Sequence, residues 1–412
     1  MSQTTAVSSQ SKTIGDTIIT GGDVRVCKSF DEMGISDAIL HGIYGYGFEK
    51  PSKIQQIGIV PMIEGRDLLA QSQSGTGKTG CFATGALSHI NGRLRKPQVI
   101  VLSPTRELAQ QTEKVVTALG SHIKTSETEE GVRVLCATGG SPVEADRRTL
   151  RDGAQFVVGT PGRIFDLIRR GYLKLDDIKY LIMDEADQLL DELFLEQINQ
   201  ILKSGTFPMT TRLAMFSATM PEAVVEIADR YLKEPLRILL PAEEVRLEGI
   251  KQFHIKVERE DWKFDAILDL YKHIAVNQAI IFVNKRNKAD WLTESMTKEG
   301  YTVQCIHGDM DTADRKRQID EFRAGKFRVL VSTDVLARGF DLQSISVVIN
   351  YEMPTSRENY FHRIGRSGRF GRKGVAINFI CGEELAMLRD IEKHYSITVP
   401  ELPDDLSVLS PA

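Results

Sequence analysis

Two short strings concentrate the side chains that could do chemistry. SQSGTGKT at 72–79 follows the apolar DLLA at 67–70 and puts Lys78 and Thr79 at the head of an expected helix. Glycines at 75 and 77 let backbone N–H groups turn toward phosphate oxygens, and a helix N-terminus adds partial positive charge. Ser72, Gln73, Ser74, Gly75, Thr76 and Gly77 would line the cradle, Lys78 would reach the β and γ phosphates, and Thr79 would ligate Mg²⁺. Ser72 stands where the usual pattern has glycine, and a glycine-rich surface turn is the alternative. The second string, LIMDEAD at 181–187, is an apolar run that ends in Asp184, Glu185 and Asp187, where parallel strands present their functional ends. Asp184 would hold Mg²⁺ through water, and Glu185 would orient or deprotonate the attacking water for in-line hydrolysis. A solvated acidic helix start is the competing explanation.

These strings need a scaffold, and the surrounding sequence supplies one. VIVLS at 99–103, FVVGT at 156–160, YLIMD at 180–184 and LAMFS at 213–217 alternate with helical patterns, as buried strands of a helix-covered parallel sheet do. PAEEVRLEG at 241–249 interrupts the pattern with Pro, charge and Gly and reads as a linker. The alternation restarts with HIKVE at 254–258, AIIFVN at 279–284, TVQCIHG at 302–308, RVLVSTD at 328–334, VVINY at 347–351 and VAINFI at 375–380. Phe264, Ile267, Leu268 and Tyr271 have the spacing of a buried helix face. The fold class is therefore α/β in two tandem domains, 28–240 and 250–412, each a parallel sheet covered by helices. Residues 1–27, rich in Ser, Thr, Gln and Gly, read as a flexible tail.

Composition narrows the classes without choosing among them. A chain of 412 residues suits two cores, and a net charge of −4 restricts any nucleic-acid site to a local patch. Cysteines 27, 81, 136, 305 and 381 show no CxxC or Cys/His spacing, which argues against zinc and disulfides and for a reducing compartment. No signal peptide or membrane span is expected.

In order along the chain stand GFEKPSKIQ at 47–55, SQSGTGKT, PTRELA at 104–109, GG at 139–140, TPGR at 160–163, DEAD at 184–187, SAT at 217–219, STDVLARGFD at 332–341 and HRIGRSGR at 362–369. Together they resemble the DEAD-box ATP-dependent RNA helicases over nearly everything from about residue 30 onward. EGIKQF, WLTE and GRKGVAIN look most like the translation initiation factor four-A group, and WKFD at 262–265 like its nuclear exon-junction and ribosome-biogenesis members. The resemblance implies two RecA-like domains, with ATP and Mg²⁺ as cofactors. It places Phe48 on adenine and Gln55 on the adenine N6/N7 edge, roles that a flat apolar ring and an amide suit. A core Phe and a capping Gln are the alternative.

By the same resemblance, Thr105, Arg106, Gly139, Gly140, Thr160, Arg163 and Thr333 hold an RNA backbone, using hydroxyls, Arg forks and glycine N–H groups that read no base. Asp187, Ser217, Thr219 and His362 look like coupling residues. Arg366 and Arg369 look like fingers on the γ-phosphate, and Gly339 and Asp341 like contacts to the nucleotide, Asp341 on its ribose. Arg147, Arg148 and Arg151 read as a solvated helix face. Two departures stand out: Thr312, three residues before Arg315, replaces a frequent Gln, and QLLDELF at 188–194 follows the acidic box.

The expected activity is RNA-stimulated ATP hydrolysis with local, sequence-independent unwinding of single-stranded or partly duplex RNA. The alternative is an ATP-gated RNA clamp whose partners in a ribonucleoprotein or initiation complex suppress turnover. A small-molecule P-loop kinase leaves the second sheet and HRIGRSGR unexplained. A monomer is expected, in the nucleus, with the cytoplasm as the alternative.

Overall fold

The computed structural model describes residues 12–14, 17–72, 75–125, 129, 131–190, 192–204, 207–239, 250–273, 278–334, 345–367, 374–395, 397–403 and 405–406. The chain divides into two compact units, Met1–Pro241 and Ala242–Ala412. The linker read at 241–249 lies outside the described residues.

The first unit is built on strands β1 (Lys12–Ile14), β2 (Thr17–Thr20), β3 (Leu68–Gln71), β4 (Val99–Leu102), β5 (Val134–Ala137), β6 (Phe156–Gly159), β7 (Tyr180–Asp184), β8 (Arg212–Ser217) and β9 (Leu236–Leu239). They lie in the order β1-β2-β9-β3-β8-β7-β4-β6-β5. From β9 to β5 every pairing is parallel. Successive side chains point to opposite faces, so Val99 and Val101 enter one core while Ile100 and Leu102 enter the other. Burial on both faces explains why these strands are continuous apolar runs.

The flexible tail expected over 1–27 does not include the described residues 12–14 and 17–20, which form strands. TIIT at 17–20 pairs antiparallel with β9, burying Thr17 and Ile19, and Cys27 is buried with its N–H donated to the Gln56 carbonyl. A four-residue β-branched run suffices for a strand paired on both sides, with β1 and with β9, even in a Ser- and Gly-rich stretch.

The second unit holds β10 (Ile250–Val257), β11 (Ala279–Phe282), β12 (Val303–Ile306), β13 (Val329–Ser332), β14 (Val347–Asn350) and β15 (Gly374–Cys381). Their order is β10-β15-β14-β11-β13-β12, all parallel. Helix Trp262–His273 forms where its spacing predicts, but its buried stripe is rotated: Ile267 and Leu270 are buried, with Phe264 and Tyr271 packed beside them, and Leu268 is only partly covered. No described helix is long and apolar enough to cross a membrane.

Candidate active site

The register of the first sheet brings the two strings together. Gln71 at the end of β3 pairs with Ser217 at the end of β8, and Phe216 pairs with Asp184 at the end of β7. SQSGTGKT, SAT and DEAD therefore leave one sheet edge side by side. Gly75 and Gly77 have φ of 85° and 98°, a left-handed backbone that disfavours a Cβ, and Gly77 caps helix Lys78–Leu87. Ser72 donates its N–H to the Ser217 carbonyl at 2.9 Å, and its hydroxyl hydrogen-bonds that of Thr76. Gln73 and Ser74 lie outside the described residues; Thr79 sits half-buried one position into the helix.

Lys78 is held by an acidic partner. Lys78 Nζ lies 3.1 Å from Glu185 Oε2, with both side chains about 5% exposed or less (5% and 4%). Among the described residues Glu185 is one of two non-glycine residues with positive φ, 52°, a turn that redirects the chain immediately after Asp184. The Asp184 carboxyl is pushed up to about 7, first by burial and then by the charge of Glu185, against the pull of Lys78 and of the Glu185 N–H. A carboxyl this short of counter-charge fits a divalent cation, and Asp184 with Thr79 offers the oxygen ligands that Mg²⁺ takes. Asp187 donates its N–H to Ser217 Oγ at 3.2 Å, and its carboxylate accepts from the Thr219 hydroxyl at 2.7 Å. The SAT hydroxyls thus fasten the acidic turn to β8.

Phe48 and Gln55 meet the glycine-rich loop and the helix that follows it from the side. A methyl at Gly80 would come within 2.6 Å of Gln55 Nε2 and 2.9 Å of Phe48 Cε2. Gln55 donates to the Gly77 carbonyl at 3.1 Å and accepts the Ser52 N–H at 2.9 Å, closing a capping box on helix Lys53–Ile63. Gln55 is therefore a helix cap and a contact of the glycine-rich loop at once. The capping Ser52 was not singled out in the sequence, although its spacing three residues before Gln55 carries the signal.

The residues assigned to RNA sit on the other half of the same edge, where Leu102, Gly159 and Ala137 end β4, β6 and β5 in register. The Thr105 hydroxyl caps helix Arg106–Leu119 by accepting the Leu108 N–H. Arg106 lies against Gly139, where an added Cβ would stand 3.1 Å from Nη2. Gly140 has φ of 90°, and Thr160 precedes Pro161 at the head of helix Pro161–Arg169. Arg163 is bound internally, to the Asp146 carboxylate and to the Ser141 carbonyl at 2.6 Å, so it shapes the loop after Gly140 in this state. Buried Asp146 had no sequence signal of its own.

In the second unit, Thr333 follows β13 and donates its N–H to the Ile306 carbonyl. Arg366 is buried, its Nε donating to the His362 carbonyl at 3.2 Å, and His362 is buried beside it. Gly339, Asp341 and Arg369 lie outside the described residues, and so does the side chain of Thr312. The neighbour Arg363, not assigned from sequence, is fully buried. It donates to Asp334 Oδ1 at 2.6 Å, Asn284 Oδ1 at 2.7 Å and the Glu352 carbonyl at 2.8 Å, tying together the ends of β13, β11 and β14.

Residues 52–227 match the family described as DEAD/DEAH box helicase, and 262–371 match the helicase conserved C-terminal domain. The chain is 49% identical over 381 residues to the ATP-dependent RNA helicase eIF4A of Neurospora crassa, covering 92% of this chain and 94% of that one. It is 50% identical over 384 residues to eukaryotic initiation factor 4A of Zea mays, covering 93% and 92%. The structure of S. cerevisiae Dbp5 bound to RNA and ADP BeF3 superposes with a TM-score of 0.83 at 37% identity, covering 93% of this chain and 97% of that one.

Proposed function

The chain is a DEAD-box ATP-dependent RNA helicase, and from that premise we propose how its residues divide the work. ATP seats its phosphates on the loop Ser72–Thr79, with Lys78 leaving Glu185 to meet the β and γ phosphates. That exchange frees Glu185 to position the attacking water and accept its proton. Thr79 and Asp184 would hold Mg²⁺, which when bound supplies charge neutralisation on the phosphates. Phe48 and Gln55 meet the adenine. RNA lies by its backbone along Thr105, Arg106, Gly139, Gly140, Thr160, Arg163 and Thr333, so base identity goes unread. Arg163 must exchange Asp146 for a phosphate to take part. Arg366 and Arg369 meet the γ-phosphoryl group in the nucleotide-bound state, with Asp341 on the ribose, and Asp187, Ser217, Thr219 and His362 couple the two ligands.

The observation that carries this reading is the buried Lys78–Glu185 pair beside the cation-poor Asp184, at the ends of adjacent strands. Its test separates binding from chemistry. Glu185→Gln should bind ATP and RNA while single-turnover hydrolysis is lost; normal hydrolysis in that variant would remove Glu185 from the role.

A further inference from the structure

Metal-ligating side chains converge at another place, on the edge of the second sheet. β12 is the edge strand, and helix Arg286–Lys298 packs beside it. Cys305 on β12, His307 just past its end and Asp290 in the second turn of the helix bring one ligand atom each to within 4.8 Å of one another. Asp290 Oδ1 lies 3.4 Å from Cys305 Sγ and 3.1 Å from His307 Nε2. We propose that Asp290, Cys305 and His307 form a Zn²⁺ site with an open fourth position.

The two separations that Asp290 makes fit such an ion. With Zn–S near 2.3 Å and Zn–N and Zn–O near 2.0 Å, tetrahedral geometry separates S from O by about 3.5 Å and N from O by about 3.3 Å. Both observed separations fall within about 0.2 Å of those values. A thiolate with an imidazole selects zinc over magnesium, which prefers oxygen. In the metal-free protein the same spacings serve as hydrogen bonds accepted by Asp290, so binding releases the thiol proton to solvent and moves the imidazole proton to Nδ1. The buried Thr293 hydroxyl lies beside Cys305 and can donate to the thiolate. Asp290 is half-exposed, giving an ion a way in, while His307 is largely covered. His307 Nδ1 is buried with no hydrogen-bond partner among the described residues, so the support that usually fixes a ligating imidazole is missing there. An exchangeable site follows, weaker than a four-ligand structural one. The spacing of cysteines hid it, because only one ligand is Cys and Asp290 comes from the preceding helix.

The site would act on its surroundings through one loop. His307 precedes Gly308, whose carbonyl accepts from Arg315 Nη2 at 2.9 Å, and Asp309, which pairs with Arg286. An ion on His307 would fix the segment that joins β12 to helix Thr312–Arg323.

The test is a titration of metal-stripped, tag-free full-length protein with Co²⁺, the spectroscopic substitute for Zn²⁺. Wild type should develop a thiolate-to-cobalt charge-transfer band that saturates at one equivalent and is displaced by Zn²⁺. Cys305→Ala should lose the band and Cys381→Ala should keep it. Asp290→Asn, which preserves shape, should weaken Co²⁺ binding at least tenfold and keeps the test open should Cys305→Ala fail to fold. Oxygen ligands around Asp184 give no thiolate band, so the phosphate site does not interfere. No band in wild type, a band persisting in Cys305→Ala, or wild-type affinity in Asp290→Asn would overturn the proposal.

Discussion

Removing Lys78 from the nucleotide-free protein strands a buried carboxylate, and the cost of that should depend on pH. Lys78 Nζ and Glu185 Oε2 are 3.1 Å apart, and Asp184, also buried, is the adjacent residue. Deleting one partner of a buried ion pair typically costs about 3–5 kcal/mol, because the other charge stays in a medium that cannot solvate it. Glu185 has an escape, which is to take up a proton. From a reference value near 4.3, protonation costs about 1.4 kcal/mol for each pH unit above it, so the penalty is capped near about 4 kcal/mol at pH 7.5 and about 1.6 at pH 5.5. Lys78→Ala should therefore destabilise the first unit by roughly 2 kcal/mol less at pH 5.5 than at pH 7.5. Glu185→Gln added to it should restore part of the loss at pH 7.5, with a coupling of about 1.5 kcal/mol or more. Both tryptophans, Trp262 and Trp291, belong to the second unit. Calorimetry should consequently register the change while tryptophan fluorescence does not. A destabilisation equal at both pH values, together with additivity in the double variant, would refute the argument.

Three further outcomes are expected. Asp184 has a raised folded pKa, so the folded protein keeps a proton that the unfolded chain has lost between about pH 4 and 7. Stability of the metal-free protein should fall as pH rises through that window, Asp184→Asn should flatten the slope, and half-maximal ATP hydrolysis should need more Mg²⁺ at pH 6 than at pH 8; an unchanged Mg²⁺ requirement would count against the cation assignment. Arg363→Met removes the buried centre of the Asp334, Asn284 and Glu352 contacts and should destabilise the second unit by about 3–5 kcal/mol, read in tryptophan fluorescence during urea unfolding; a loss under about 1 kcal/mol would contradict the network's role. Arg366→Ala should abolish the mutual tightening of ATP and RNA, measured by titrating each ligand with and without the other under non-hydrolysing conditions, and full coupling in the variant would exclude the finger role.

Strand positions and the two chemical strings were legible because they rest on local signals: apolar runs buried on both faces, glycines where φ is positive, carboxylates at a strand end. What sequence left hidden depends on partners distant in the chain. Arg363 and Arg366 stand in the same basic string, yet only the fold shows that Arg363 is spent on Asp334 and Asn284. Arg163 reads as a free phosphate fork until Asp146 appears across the loop. Gln55 offered two readings, adenine contact or helix cap, and it caps while touching Gly77. The rotated stripe of helix Trp262–His273 has the same origin, since Leu268 and Leu270 are equivalent in composition and only packing separates them.

The central claim is that the buried site around Lys78 and Glu185 hydrolyses ATP in answer to an RNA backbone whose bases it does not read. Steady-state ATP hydrolysis, measured with single-stranded RNAs of two unrelated sequences and with DNA of the same lengths, tests it most directly. Equal stimulation by both RNAs, little by DNA, and a response that weakens as salt rises is the predicted result. Equal stimulation by DNA, or stimulation confined to one RNA sequence, would contradict it.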